Sequence, residues 1–121
     1  MFLNGTAMVG GATHHLLQGA ELIAAIRTSA KYRLYSVRDE FPGLCPASDG
    51  AAIAGEMYEL SYELLRDVLL PNEPIELELG VIELEDAGGA LSMLLRREFL
   101  EAPIVQDVTR FGGWREYLRR D

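Results

Sequence analysis

The stretch from Glu76 to Arg96 constrains the fold more than any other part of the chain. Residues Glu76–Glu83 alternate Glu76, Glu78 and Gly80 with Leu77, Leu79 and Val81. A period of two marks a strand with one face toward water and one toward a core. Asp86–Gly89 supplies a turn and Ala90–Arg96 reads as the returning strand, so the segment predicts a β-hairpin.

The remaining elements are short. Met1–Asn4 is a brief strand, followed by a Gly-rich loop from Gly5 to Ala12. Thr13 is placed to cap a short helix through Leu17, which Gly19 stops. Glu21–Thr28 and Tyr32–Val37 read as strands, the second with Tyr32, Leu34 and Ser36 on one side. Two prolines and Gly43 predict a loop over Phe41–Gly50. Ala51–Glu59 reads as a strand, and Gly55 inside it marks a bulge or the close approach of another backbone. Ser61 caps a helix over Tyr62–Leu70, with Leu64, Leu65, Val68 and Leu69 on one face and Pro71 at its end. Gly112–Arg120 predicts a last short helix that packs Trp114, Leu118 and Tyr117 on the body. The order β, α, β, β, β, α, β, β, α departs from the regular alternation of a doubly wound sheet. The expected fold class is α+β: a mixed, curved β-sheet or open barrel with short flanking helices.

Length and composition set outer limits. A chain of 121 residues with 49% hydrophobic residues fits one domain, 1–121, able to bury a core without staples. No internal repeat, low-complexity segment or linker divides it. The net charge of −8 argues against a sequence-independent nucleic-acid binder and against a polybasic membrane anchor. Cys45 is the only cysteine, which excludes an intrachain disulfide and a Cys-rich zinc site. No apolar run reaches the roughly 18 residues of a membrane span, and the first residues lack the pattern of a signal peptide. A cytoplasmic protein without nucleic-acid or membrane partners is expected. Charge is uneven: ten acids and one base, Arg66, lie between Glu56 and Asp86, while six arginines and five acids follow from Arg96. Such a split reads as solvated surface or as two contact surfaces.

Candidate chemistry concentrates at the loop after the first strand. Successive backbone N–H groups at Gly5, Thr6 and Ala7 can form a cradle for an anion. Asn4 adds an amide and Thr6 a hydroxyl. The same glycine also serves a plain tight turn. His14 and His15 are adjacent, so they do not share a helix face as a metal pair would, and no metal or cofactor is expected. Glu73 and Glu76 follow the second helix. A carboxylate in an apolar cleft has a raised pKa and can serve as general acid and base, which makes Glu73 the first candidate and Glu76 its rival. No Gly-x-Ser-x-Gly turn, P-loop or Gly-x-Gly-x-x-Gly is present.

The order of several motifs resembles the C-terminal domain of allophanate hydrolase, and through it the gamma-glutamylcyclotransferase-like fold. The resemblance runs from Gly5-Thr6-Ala7-Met8 and Leu17 through Arg27-Thr28, Tyr32-Arg33-Leu34-Tyr35, Pro42-Gly43-Leu44 and Gly55-Glu56-Met57-Tyr58. It continues in Leu79–Asp86 and closes on Asp107-Val108-Thr109-Arg110-Phe111-Gly112-Gly113-Trp114-Arg115-Glu116-Tyr117-Leu118, its most specific piece. It implies a small-molecule cavity beside the first loop. In the cyclotransferases that loop binds substrate through backbone N–H groups, and one glutamate moves the proton as an amine attacks an amide carbonyl. In allophanate hydrolase the domain is linked to decarboxylation of a small diacid. The loop here reads Gly5-Thr6-Ala7 where that domain carries Gly-Ala-His, and Glu73 precedes Pro74 where the cyclotransferases carry glycine.

The expected function is that of a stand-alone enzyme of this fold acting on a small carboxylated amide or urea derivative. Asn4, Gly5, Thr6 and Ala7 would hold its anionic group, Tyr35 would line the cavity, and Glu73, or Glu76, would move a proton. The alternatives are gamma-glutamyl cyclotransfer and a non-catalytic ligand-binding or assembly module, with an amidase or a second copy of the chain as partner.

Overall fold

The computed structural model describes residues Met1–Arg120. The strands β1 (Phe2–Leu3), β2 (Glu21–Arg27) and β5 (Ala54–Glu59) form an antiparallel sheet in the order β1-β5-β2. The strands β3 (Tyr32–Val37), β4 (Phe41–Pro46), β6 (Leu77–Glu83), β7 (Gly89–Leu95) and β8 (Val105–Asp107) form a second sheet in the order β6-β7-β4-β3-β8. Among the described residues only the β4–β7 pairing is parallel, and it is registered at a single pair, Leu44↔Leu94. The two sheets meet at the Thr28↔Leu84 bridge, and the Ser92 hydroxyl donates to the Phe2 carbonyl at 2.9 Å. The result is an α+β fold with an open, curved sheet arrangement in place of a closed barrel. Phe2, Leu34, Leu44, Ile53, Tyr58 and Ile82, drawn from both sheets, share one core. A smaller cluster of Val37, Leu77, Met93 and Leu95 lies on the other face of the five-stranded sheet.

The expected hairpin forms, with its strands paired from Leu77↔Leu95 to Glu83↔Gly89. Its turn spans residues 84–88, earlier than the expected Asp86–Gly89, and is tied by the Gly88 N–H donating to the Asp86 carboxylate at 2.8 Å, with Ala87 at φ 71°. Its buried face differs from expectation. Leu77 packs in the smaller cluster, but Leu79 and Val81 are exposed, and Ile82 is buried in the main core. The strand therefore changes the face it buries along its length.

Phe41–Pro46 is a strand and not a loop. The Ala47 N–H donates to the Lys31 carbonyl, so the odd-numbered residues of β4 bond to β3. Pro42 and Pro46 fall in the other phase and take no donor from the β3 ladder, which is how a strand accommodates two prolines. β8 is short, polar and half-exposed, and no alternation in the sequence marks it.

Ser61 caps as expected: its hydroxyl accepts from the Leu64 N–H at 3.0 Å at the start of α1 (Tyr62–Leu64). The helix then widens over Leu65–Leu69 and tightens over Leu70–Asn72, taking in Pro71. Thr13 does not cap the His14–Leu17 turn, because its hydroxyl is engaged with that of Thr6 at 2.8 Å. α2 (Trp114–Leu118) buries Trp114 and Tyr117, but Leu118 is exposed. Gly55 marks a close approach: a Cβ there would lie 2.7 Å from the Leu3 carbonyl oxygen and 2.3 Å from the Phe2 ring. The acidic and arginine-rich stretches meet at two ion pairs, Glu78–Arg96 at 2.9 Å and Glu56–Arg115 at 3.0 Å. Among the described residues no helix is long and apolar enough to cross a membrane.

Candidate functional site

The loop after β1 folds back on itself. The Met8 N–H donates to the Gly5 carbonyl at 3.1 Å, the Gly11 N–H to Met8 at 2.8 Å and the Thr13 N–H to Thr6 at 3.0 Å. Gly5 rests on β4: a Cβ there would lie 2.7 Å from Pro42 Cδ, so only glycine lets the loop approach this wall. Among the described residues the backbone N–H groups of Gly5, Thr6 and Ala7 have no acceptor. Asn4 is buried, and its side-chain nitrogen has no partner either. Gly5, Thr6 and Ala7 are half-buried, but the Asn4 nitrogen is a fully buried donor without a partner, which is uncommon and marks a place where a ligand or water completes the set.

These donors border a cavity of about 280 Å³, at the small end of ligand sites. Asn4, Gly5, Thr6 and Ala7 line one side, and Asn72, Glu73 and Pro74 another. Glu40 from the β3–β4 turn, Phe41 and Pro42 from β4, and Leu77 and Met93 from the hairpin also line it. No lysine, arginine or histidine is among the lining residues.

Glu73 reaches the cavity because the helical segment ends at Asn72 and the chain extends at Glu73 before Pro74. It is half-buried and makes no side-chain hydrogen bond or ion pair among the described residues. Burial pushes its carboxyl up to about 7. Glu76 is different. It is buried outside the cavity lining and receives the Arg38 guanidinium at 2.8 Å, which holds its carboxyl below the usual range. Tyr35 lies on β3, opposite Gly43 and Asp107, outside the lining of this cavity. Of the sequence candidates, the fold brings Asn4, Gly5, Thr6, Ala7 and Glu73 together and leaves Glu76 and Tyr35 elsewhere.

The two histidines serve the loop or the solvent. His14 Nδ1 is 2.9 Å from the Ala7 carbonyl oxygen, and His15 is exposed. Sequence reasoning missed Glu56 and Arg115. Glu56 is buried and accepts from the Val9 N–H at 2.9 Å, the Tyr58 hydroxyl at 2.8 Å and Arg115 at 3.0 Å. Burial alone would raise its carboxyl, but these donors outweigh burial and hold it below the ordinary range. An acid directly after Gly55, the glycine that marks a close approach, was the available signal, since a buried carboxylate needs partners.

The chain matches the family model described as the allophanate hydrolase C-terminal domain over residues 1–119. It is 27% identical over 122 residues to urea amidolyase from Saccharomyces cerevisiae, covering 94% of this chain but 7% of that protein. The chain thus spans a small part of its curated relative. A uropathogenic E. coli-specific protein of known structure is similar with a TM-score of 0.90 and 30% identity, over 99% of this chain and 94% of that one. Allophanate hydrolase from Kluyveromyces lactis superposes with a TM-score of 0.90 and 26% identity, over 97% of this chain and 20% of that one. An uncharacterized protein from Pyrococcus horikoshii, 18% identical with a TM-score of 0.73, shares the fold. The fold is gamma-glutamylcyclotransferase-like.

Proposed function

Because the chain belongs to the allophanate hydrolase C-terminal domain family, we propose that it acts on a small carboxylated amide or urea derivative. The substrate is held by Asn4, Gly5, Thr6 and Ala7 and exchanges a proton with Glu73. One observation carries the reading: an unpaired glutamate titrating near neutral pH lines the same small cavity as a set of free N–H donors.

The chemistry follows from the lining. A carboxylate accepts from the loop N–H groups and the Asn4 amide, which favour negative charge without a formal cation. Elsewhere in the lining the ligand meets Glu73 and Glu40. Two carboxyl groups and no base in the lining disfavour a second negative charge on the ligand and favour an N–H donor there. A carboxyl poised near neutrality takes a proton from such a nitrogen and returns it to a leaving group. A gamma-glutamyl amide meets the same requirements: its amine attacks the amide carbonyl, the C–N bond breaks, and Glu73 carries the proton between the two nitrogens. Detection of 5-oxoproline distinguishes that reaction.

The test is an amide NMR titration with malonamate, malonate and a gamma-glutamyl amide. Shifts at Gly5, Thr6 and Ala7, stronger with malonamate than with malonate, support the reading, and Glu73→Gln and Thr6→Val weaken the response. No shift with any of the three at millimolar concentration overturns it.

A second reading is an assembly module for an amidase. The similar segments of urea amidolyase and allophanate hydrolase belong to much longer chains, and Leu22 and Ile23 on the outer strand β2 are exposed. Light scattering on a mixture with a co-encoded amidase tests it: no complex at micromolar concentration counts against it.

A further inference from the structure

We infer that α2 is a two-ended clamp that sets the width of the cavity, with Arg115 and Tyr117 as positioning residues. This rests on the site reading above, and adds what fixes that site's geometry. Arg115 donates to the Val9 carbonyl at 2.6 Å and to Glu56 at 3.0 Å, while Glu56 accepts from the Val9 N–H at 2.9 Å. Both backbone polar groups of Val9 are therefore held by the two members of one ion pair. Val9 belongs to the loop whose start, Asn4–Ala7, lines the cavity.

Two positions along the same helix, the Tyr117 hydroxyl donates to the Asp39 carboxylate at 2.5 Å. Asp39 and Arg38 both stand at positive φ, 59° and 53°, without being glycine. Such a turn is costly and persists only where its surroundings hold it. Here the Ser36 hydroxyl and Tyr117 bond the Asp39 carboxylate, and the Asp39 N–H donates back to Ser36 at 3.1 Å. The next three residues, Glu40, Phe41 and Pro42, form the wall that Gly5 abuts. The Tyr117 ring is itself fixed, edge-on to Phe111 and under the Arg120 guanidinium at 3.8 Å. One short helix thus holds both the donor loop and the wall against which it rests. This gives the closing Trp114–Tyr117 part of the sequence a task at a site it does not line.

Amide hydrogen exchange resolved by residue tests this on the whole chain. Arg115→Met is expected to speed exchange at Met8, Val9 and Gly11, whose N–H groups are bonded, at least tenfold and leave the Leu77–Leu95 hairpin unchanged, with Arg115→Lys restoring part of the protection. Tyr117→Phe keeps the ring and is expected to speed exchange at Asp39–Phe41 alone. Each variant is expected to weaken malonamate binding about tenfold. Uniform acceleration in both variants, or unchanged exchange in the loop and the turn, overturns the clamp. If the unaltered protein binds no malonamate, the site reading fails, while the exchange pattern still decides the clamp.

Discussion

Glu73 and Glu76 stand three positions apart and occupy opposite environments. Glu73 is unpaired at the cavity with its carboxyl raised to about 7, while Glu76 is locked to Arg38 at 2.8 Å and held low. Two carboxyl groups pushed apart in pKa by their surroundings differ in what they can do. The first can exchange a proton at neutral pH; the second anchors the β3–β4 turn to the start of the hairpin.

Glu73 gives folding a pH dependence of definite sign. Its folded pKa lies above the ordinary 4.5, so the folded state keeps a proton that the unfolded chain loses between those values. Stability from this group is full below pH 4.5 and falls as pH rises toward 7. Glu73→Gln is therefore expected to be more stable than the parent by about 1–2 kcal/mol at pH 8, allowing for solvent screening of a half-buried group. The difference should vanish at pH 4, by urea denaturation at both values.

Asn4 carries a conflict between folding and binding. Its buried nitrogen has no partner, which costs about 1–3 kcal/mol of desolvation. Asn4→Leu is expected to raise the melting temperature while weakening malonamate binding at least tenfold. Calorimetry and titration on the same sample check both.

Gly5→Ala places a methyl group 2.7 Å from Pro42 Cδ. The expected cost is about 1–3 kcal/mol, with displacement of the donor loop and loss of malonamate response. Tyr35→Phe, outside the lining, is the contrast: its titration should match that of the parent.

Ala87 occupies the left-handed region at φ 71° in the exposed hairpin turn. Ala87→Gly removes that strain and is expected to stabilise by about 0.5 kcal/mol, the residue penalty less the entropy gained by the unfolded chain. Thermal unfolding checks the direction.

Local chemistry explains which parts of the fold were legible in the sequence. The hairpin and the Ser61 cap depend on neighbouring residues, so period and turn chemistry reveal them. β4 was hidden because prolines are read as breakers, and their tolerance depends on which edge faces β3. Leu79 and Val81 look like core residues by period, yet the strand buries Ile82 on its other side. At the site, Glu73 and the Asn4–Ala7 loop stood out by residue type. Glu56 and Arg115 did not, because their roles come from contacts made 47 and 106 positions away at Val9.

The prolines of β4 have a further consequence for how the larger sheet is joined. β4 and β7 are registered at one pair only, so this joint is a seam in an otherwise laddered sheet. The seam runs beside the cavity, with Phe41 and Pro42 from one bank and Met93 from the other. Movement along it breaks few hydrogen bonds. What resists such movement is side-chain packing: a Cβ on Gly43 would lie 2.9 Å from that of Leu95, so the two banks are held by close contact where the flanking strands are held by ladders.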